Sequence, residues 1–91
     1  CLTLWLTHLL CADDAAHMAA QCDALLEALP HLPGELILVS NETGLGVVPL
    51  GALSRRFVDA AGELHQRLAA QCDEVLLTVA GLPLTLKAPA P

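Results

Sequence analysis

The sequence predicts an α/β fold: one half of a doubly wound domain, with parallel strands covered by helices on both faces. Three observations carry this. An apolar run, Leu36-Ile37-Leu38-Val39, ends abruptly in the polar tip Ser40-Asn41-Glu42-Thr43, and Gly44, Gly46 and Val47-Val48-Pro49 follow. A long stretch of helical periodicity comes next, over 52–71, and a second apolar run, EVLLTVA, directly after it at 74–80. Strand, helix, strand in that order is a βαβ unit with a right-handed crossover. Strands apolar on both faces call for helices on both sides of the sheet.

The elements can be justified in chain order. Residues 1–10, CLTLWLTHLL, place Leu2, Trp5, Leu6, Leu9 and Leu10 on one helical face. This first helix is expected to follow a strand that lies ahead of Cys1. Asp13 or Asp14 is placed to cap a second helix, whose apolar positions Met18, Cys22, Leu25, Leu26 and Leu29 recur at three and four. Pro30 and the Pro33-Gly34 pair end it and turn the chain into a strand over 35–40. A loop runs from Asn41 to about Gly51. The third helix, 52–71, carries Leu53, Phe57, Ala61, Leu64 and Leu68 on one stripe, with Gly62 in its middle marking a close packing contact. A strand over 74–80, a turn at Gly81-Leu82-Pro83, a short final strand over 84–87 and a frayed end complete the chain.

Bulk composition narrows the function. The 91 residues are 55% hydrophobic and only 15% charged, too apolar for the surface of a small independent domain. The chain is therefore expected to sit in an oligomer or to be part of something larger, and its start at Cys1 inside an apolar run favours the second. A net charge of −6 with four Lys/Arg offers no basic surface for nucleic acid. The longest apolar stretch, 2–10, is too short to span a membrane and is interrupted by Thr3, Thr7 and His8. No basic n-region precedes Cys1, so no signal peptide is visible. Cys1, Cys11, Cys22 and Cys72 form no CxxC pair and no zinc spacing. They are expected to be reduced and buried, in a cytoplasmic protein.

Asn41 and Glu42 are the foremost candidates for chemistry, because ligands of open α/β sheets sit beyond the carboxyl ends of the strands. The competing role is structural, with Asn41 capping the turn and Glu42 capping the next helix or pairing with Arg55 or Arg56. Gly44-Leu45-Gly46 could admit backbone N–H groups to an anion, although a lone GxG without a P-loop lysine favours a turn needing positive φ. Arg55 and Arg56 suit either a phosphate or ion pairs with Asp59 and Glu63. His8, His17, His31 and His65 show no ligand spacing, and no Ser/His/Asp arrangement can be assembled from Ser40 and Ser54.

The pattern Asn41-Glu42-x-Gly44-x-Gly46-x-Val48-Pro49, then Arg56-Phe57-x-Asp59-x-x-Gly62, Gln66-Arg67-Leu68-Ala69 and Asp73-Glu74-Val75 is long and specific. With CLTLWLTHLL ahead of it, it resembles the C-terminal half of the bifunctional adenosylcobinamide kinase / adenosylcobinamide-phosphate guanylyltransferases of cobalamin biosynthesis. The resemblance covers nearly the whole chain except 13–34. It implies a P-loop, RecA-like three-layer fold, here in part: a βαβ unit with parallel strands plus a short C-terminal strand, residues 1–91 being the second half of one domain.

The resemblance also implies an enzyme that phosphorylates adenosylcobinamide with ATP or GTP and Mg2+. Such an enzyme then transfers GMP from GTP, through a guanylylated histidine, and is a homotrimer. The phosphate-binding loop and that histidine belong to the N-terminal half, and the acidic residue ending the Walker-B-type strand would fall immediately before Cys1. No catalytic residue is therefore assigned in this chain. Asn41, Glu42, Gly44, Gly46 and Arg56 are expected to form one wall of the nucleotide or substrate site, and no residue is assigned to a metal. His8 and His65 stand where asparagine is usual, and Thr43 where valine is common. The alternative reading is a non-catalytic α/β interaction module that pairs through an open apolar sheet edge.

Overall fold

The computed structural model describes residues 1–91. Three helices pack together on one side, an extended segment lies across them, and a β-hairpin ends the chain. Helix α1 spans Leu2–Cys11 and buries Leu6, Leu9 and Leu10. It has no side-chain cap, but one of its unpaired N-terminal donors is satisfied from afar: Leu2 N–H donates to the Val39 carbonyl at 2.9 Å. The helix ends where Asp13 takes φ 53°, a left-handed position that aspartate tolerates, with its N–H donating to the Leu10 carbonyl.

Helix α2 spans Ala15–Ala28, and the capping residue is Asp14, whose carboxylate accepts from His17 N–H at 3.0 Å. Such a cap contributes about 1 kcal/mol. A short 3-10 turn, Leu29–His31, carries Pro30 in its first turn and ends the helix. Gly34 at φ 80° then redirects the chain. Helix α3 spans Ala52–Gln71 and is about 30 Å long. Its buried residues, Ala61, Leu64 and Leu68, follow the expected stripe, with Phe57 half-buried and Leu53 exposed.

The helices meet in two adjoining apolar clusters. One is Leu6, Leu9 and Ala61, backed by Met18, Phe57 and Ala60. The other is Leu26, Leu64 and Leu68, backed by Leu2, Leu29 and Leu38. Trp5 and Cys22 touch both clusters and join them. Only seven residues are buried in all, so the core holds the helices to one another and little else. Gly62 is not a close contact: a Cβ there would meet nothing within 4 Å. Cys11 is not buried either, because it ends α1 on its outer side, and all four cysteines are free thiols, with Cys1 also exposed and Cys22 and Cys72 half-buried.

The sheet departs from expectation. The predicted strand over 35–40 forms no ladder, and the two apolar runs do not pair as a parallel βαβ unit. Succession in sequence does not make two strands neighbours, since a parallel pair needs its partner edge brought alongside by tertiary packing. What does form is local. Strand β1, Val75–Val79, pairs antiparallel with β2, Leu82–Lys87, and Val79 faces Leu82 across a two-residue turn. The turn is Ala80-Gly81, at φ 53° and 76°, rather than Gly81-Leu82-Pro83. Positive φ at both central residues gives the twist that suits a tight hairpin. Pro83 lies in β2, tolerated because neither strand has a second neighbour. Lys87 Nζ donates to the Ala69 and Ala70 carbonyls, tying the hairpin to the C-terminal end of α3, where a cation is favoured.

Residues 37–40 nevertheless alternate as a strand would, with Leu36 before them exposed. Leu38 and Ser40 are half-buried toward the helices, whereas Ile37 and Val39 are exposed, at 83% and 63%. No helix is long and apolar enough to cross a membrane.

Candidate functional site

The extended segment delivers its tip to the start of α1 and the middle of α3. Asn41 makes two donations to one acceptor: its side-chain Nδ2 donates to Thr3 Oγ1 at 2.9 Å and its backbone N–H to the same oxygen at 3.3 Å. Nδ2 also lies 3.8 Å from Cys1 Sγ. On the α3 side, Ser40 Oγ lies 2.6 Å from His65 Nε2, a half-buried hydrogen bond across 25 residues of sequence. With Leu2 N–H on the Val39 carbonyl, three successive residues are each anchored.

Glu42 does not cap α3 and does not pair with an arginine. Its Oε1 accepts from Gly44 N–H at 2.6 Å, folding the carboxylate over its own loop. This explains Gly44 without positive φ, which neither Gly44 nor Gly46 adopts. A Cβ on Gly44 would lie 2.9 Å from Glu42 Oε1, so the missing side chain is the room the carboxylate occupies. Gly46 has open space around it. Beyond it, Val47 and Leu50 are almost fully exposed.

Arg56 is not brought to this tip. Its guanidinium lies 3.5 Å from Asp13, at the far end of α1, and both side chains are open to solvent. A pair of that kind contributes about 0–1 kcal/mol. Arg55 donates to the Leu50 and Pro49 carbonyls. The ion pairs expected along α3 with Asp59 and Glu63 do not form; the second salt bridge is Arg67 with Asp23 at 2.8 Å.

No motif in the sequence joins Ser40 to His65, 25 residues away. The signal available in the sequence is that Ser40 is the first polar residue after the apolar run, while His65 adjoins Leu64 on the apolar stripe of α3.

Two features limit what the tip can do alone. No group of three or more His, Cys, Asp or Glu side chains is assembled to hold a metal ion. The groove beside the tip, about 360 Å³ between the start of α1, Leu25 and residues 37–39, is lined by apolar residues throughout. It can bury side chains but offers no charged group to a phosphate. Burial pushes the Cys22 thiol up from its ordinary value, against the opposing pull of Arg67, so Cys22 stays protonated rather than nucleophilic. The chemistry within reach is positional: a carboxylate, an amide and a glycine-opened loop held at the end of an extended segment.

Known proteins match this chain along nearly its whole length. Residues 1–86 match the family described as cobinamide kinase / cobinamide phosphate guanyltransferase. The chain is 64% identical over 87 residues to the bifunctional adenosylcobalamin biosynthesis protein CobP of Pseudomonas aeruginosa, covering 96% of this chain and 50% of that protein. It is 39% identical over 100 residues to the bifunctional adenosylcobalamin biosynthesis protein CobU of Salmonella typhimurium, covering 96% of this chain and 55% of that protein. The CobU protein of Escherichia coli is 41% identical over 68 residues, covering 75% of this chain and 38% of that protein. The chain thus spans about half the length of the curated relatives it matches. On a match from residue 1 to residue 86, it belongs to the cobinamide kinase / cobinamide phosphate guanyltransferase family.

Proposed function

We propose that this chain is the C-terminal half of a bifunctional enzyme of cobalamin biosynthesis. The enzyme phosphorylates a hydroxyl of adenosylcobinamide with ATP or GTP, then transfers GMP from GTP to adenosylcobinamide phosphate, releasing pyrophosphate. The observation that carries this reading is the anchored tip: Asn41 and Glu42 stand at the end of an extended apolar segment, held to α1 by Thr3. The bifunctional relatives, matched over 96% of this chain and about half of their own length, support the reaction class.

In this reading the whole protein has a P-loop, RecA-like fold, and residues 36–39 join a parallel sheet whose other strands lie outside the chain. Such strands would pair with their backbone edges, and the exposed outer side chains, Ile37 and Val39, are the face that helices of the other half would cover. Asn41, Glu42, Gly44 and Gly46 form one wall of the nucleotide or substrate site. Gly44 N–H occupies one carboxylate oxygen of Glu42, leaving the other to accept from a substrate hydroxyl. Asn41, with its amide committed to Thr3, shapes the wall rather than reacting. Arg56, held by Asp13, stands apart from it. Mg2+ accompanies the nucleotide and neutralises phosphate charge. In this reading its ligands are the phosphates and residues of the other half. The protein works in the cytoplasm as a homotrimer.

The test is direct. Full-length protein, given adenosylcobinamide, GTP and Mg2+, should yield adenosylcobinamide-GDP, while the purified 91-residue chain should neither bind GTP tightly nor turn over. Self-guanylylation of the 91-residue chain would overturn the division of labour proposed here. A full-length protein with neither activity would leave the interaction-module reading.

A further inference from the structure

We propose that His65 is a positioning residue, which fixes the Asn41–Glu42 tip against α3 through its hydrogen bond to Ser40. For its kinetic consequence this rests on the functional reading above; for its structural consequence it does not.

The geometry points to His65 because of how the supports of the tip are distributed. The Val39 carbonyl accepts from Leu2 N–H, and Asn41 donates twice to Thr3. Both supports lie in the first turn of α1, so together they act as a hinge about which the tip can still rotate. Ser40 Oγ to His65 Nε2, 2.6 Å apart, is the hydrogen bond that ties the tip to α3, and it closes that freedom.

The far end of the link is itself rigid. His65 follows Leu64, which is 2% exposed, and lies three residues before Leu68, at 5%. Its backbone is thus held by the core that Leu26, Leu64 and Leu68 share. Leu38, two residues before Ser40, packs on that same cluster. The imidazole suits the task in either neutral tautomer. With hydrogen on Nδ1 it accepts the Ser40 hydroxyl proton, and with hydrogen on Nε2 it donates to the Ser40 oxygen. The strut survives both, and a side chain without a polar end cannot supply it.

Exchange of the two hydrogen-bonded amides of the tip, Asn41 and Gly44, in the full-length protein tests the structural half, in wild type, Ser40→Ala, His65→Leu, His65→Gln and the double variant. Loss of one such bond should raise exchange of these amides about tenfold in Ser40→Ala and His65→Leu. The double variant should be no faster than either single one, because the two changes remove one interaction. His65→Gln, which returns a polar group near the Nε2 position, should restore most of the protection. The kinetic half predicts a fall in kcat of about tenfold, with KM for GTP little changed, in the same two single variants. His65→Gln again should recover.

Wild-type exchange rates in His65→Leu, or effects of the two single changes that multiply in the double variant, would overturn the proposal. If His65→Leu fails to fold, Ser40→Ala against His65→Gln carries the same comparison. If wild-type protein lacks both transferase activities, the functional reading fails, and the exchange data still decide the role of His65.

Discussion

Asn41 and Thr3, 38 residues apart, are joined twice through a single oxygen: Thr3 Oγ1 accepts from both the side-chain amide and the backbone N–H of Asn41. A half-buried threonine hydroxyl in the first turn of a helix thereby serves as the anchor of a loop tip. Thr3→Val keeps the shape and removes the acceptor, leaving two donors to find water. It should destabilise the protein by about 1–2 kcal/mol in urea denaturation with m unchanged. Thr3→Ser should behave as wild type to within a few tenths of a kcal/mol.

Gly44 and Glu42 give a steric prediction. An alanine Cβ at Gly44 would lie 2.9 Å from Glu42 Oε1, in the space the carboxylate now uses to accept from Gly44 N–H. The carboxylate is the flexible partner and should swing away, so Gly44→Ala should leave the melting temperature within a few degrees of wild type. The cost should appear in catalysis, as a loss of about 10- to 100-fold in kcat/KM for the full-length enzyme. Gly46→Ala, with open space around it, is the control that should lose little. Equal losses from the two would remove Glu42 placement as the cause.

The hairpin turn carries avoidable strain. Ala80 holds φ 53°, a left-handed position that costs a residue with a Cβ about 1–2 kcal/mol. Ala80→Asn makes the favoured Asn-Gly pair and should stabilise the protein by about 0.5–1 kcal/mol. Gly81→Val, placing a β-branched residue at φ 76°, should destabilise by at least about 1 kcal/mol. Thermal unfolding of both variants decides the sign.

Cys22 links burial to pH. Its thiol is pushed above the ordinary value of 9.0 by burial, so above that pH the unfolded chain gives up its proton first. The stability that Cys22 contributes is therefore complete below pH 9 and declines as pH rises from there through the folded value. Cys22→Ala should be less stable at neutral pH, by leaving a small void, and should flatten the alkaline fall. Alkylation should modify exposed Cys11 well before Cys22.

The helices were legible because their causes are local. Leucines at three- and four-residue spacing, Asp14 three residues before a free N–H, and Pro30 with Gly34 beyond the last turn act over a few residues. Helix α3 accordingly runs from Ala52 to Gln71 as its periodicity predicts. That residues 36–40 run extended was legible for the same reason, since an apolar run between Pro33-Gly34 and a polar tip is a local signal; which of its side chains face the helices was not, because the run is apolar at every position from 36 to 39.

Which partner each strand takes is another matter. The antiparallel hairpin of β1 and β2 closes over two residues and arises from the Ala80-Gly81 turn, whereas residues 36–40 pair with no strand of this chain. Side-chain destinations divide the same way. The tip was recognisable as a motif from Asn41, Glu42 and two glycines. That Glu42 folds onto Gly44, that Arg56 turns to Asp13, and that Ser40 meets His65 follow from how α1, α3 and the extended segment pack. A hydrogen bond spanning 25 or 38 residues depends on the relative placement of whole elements, and no local pattern of polarity or propensity specifies that placement.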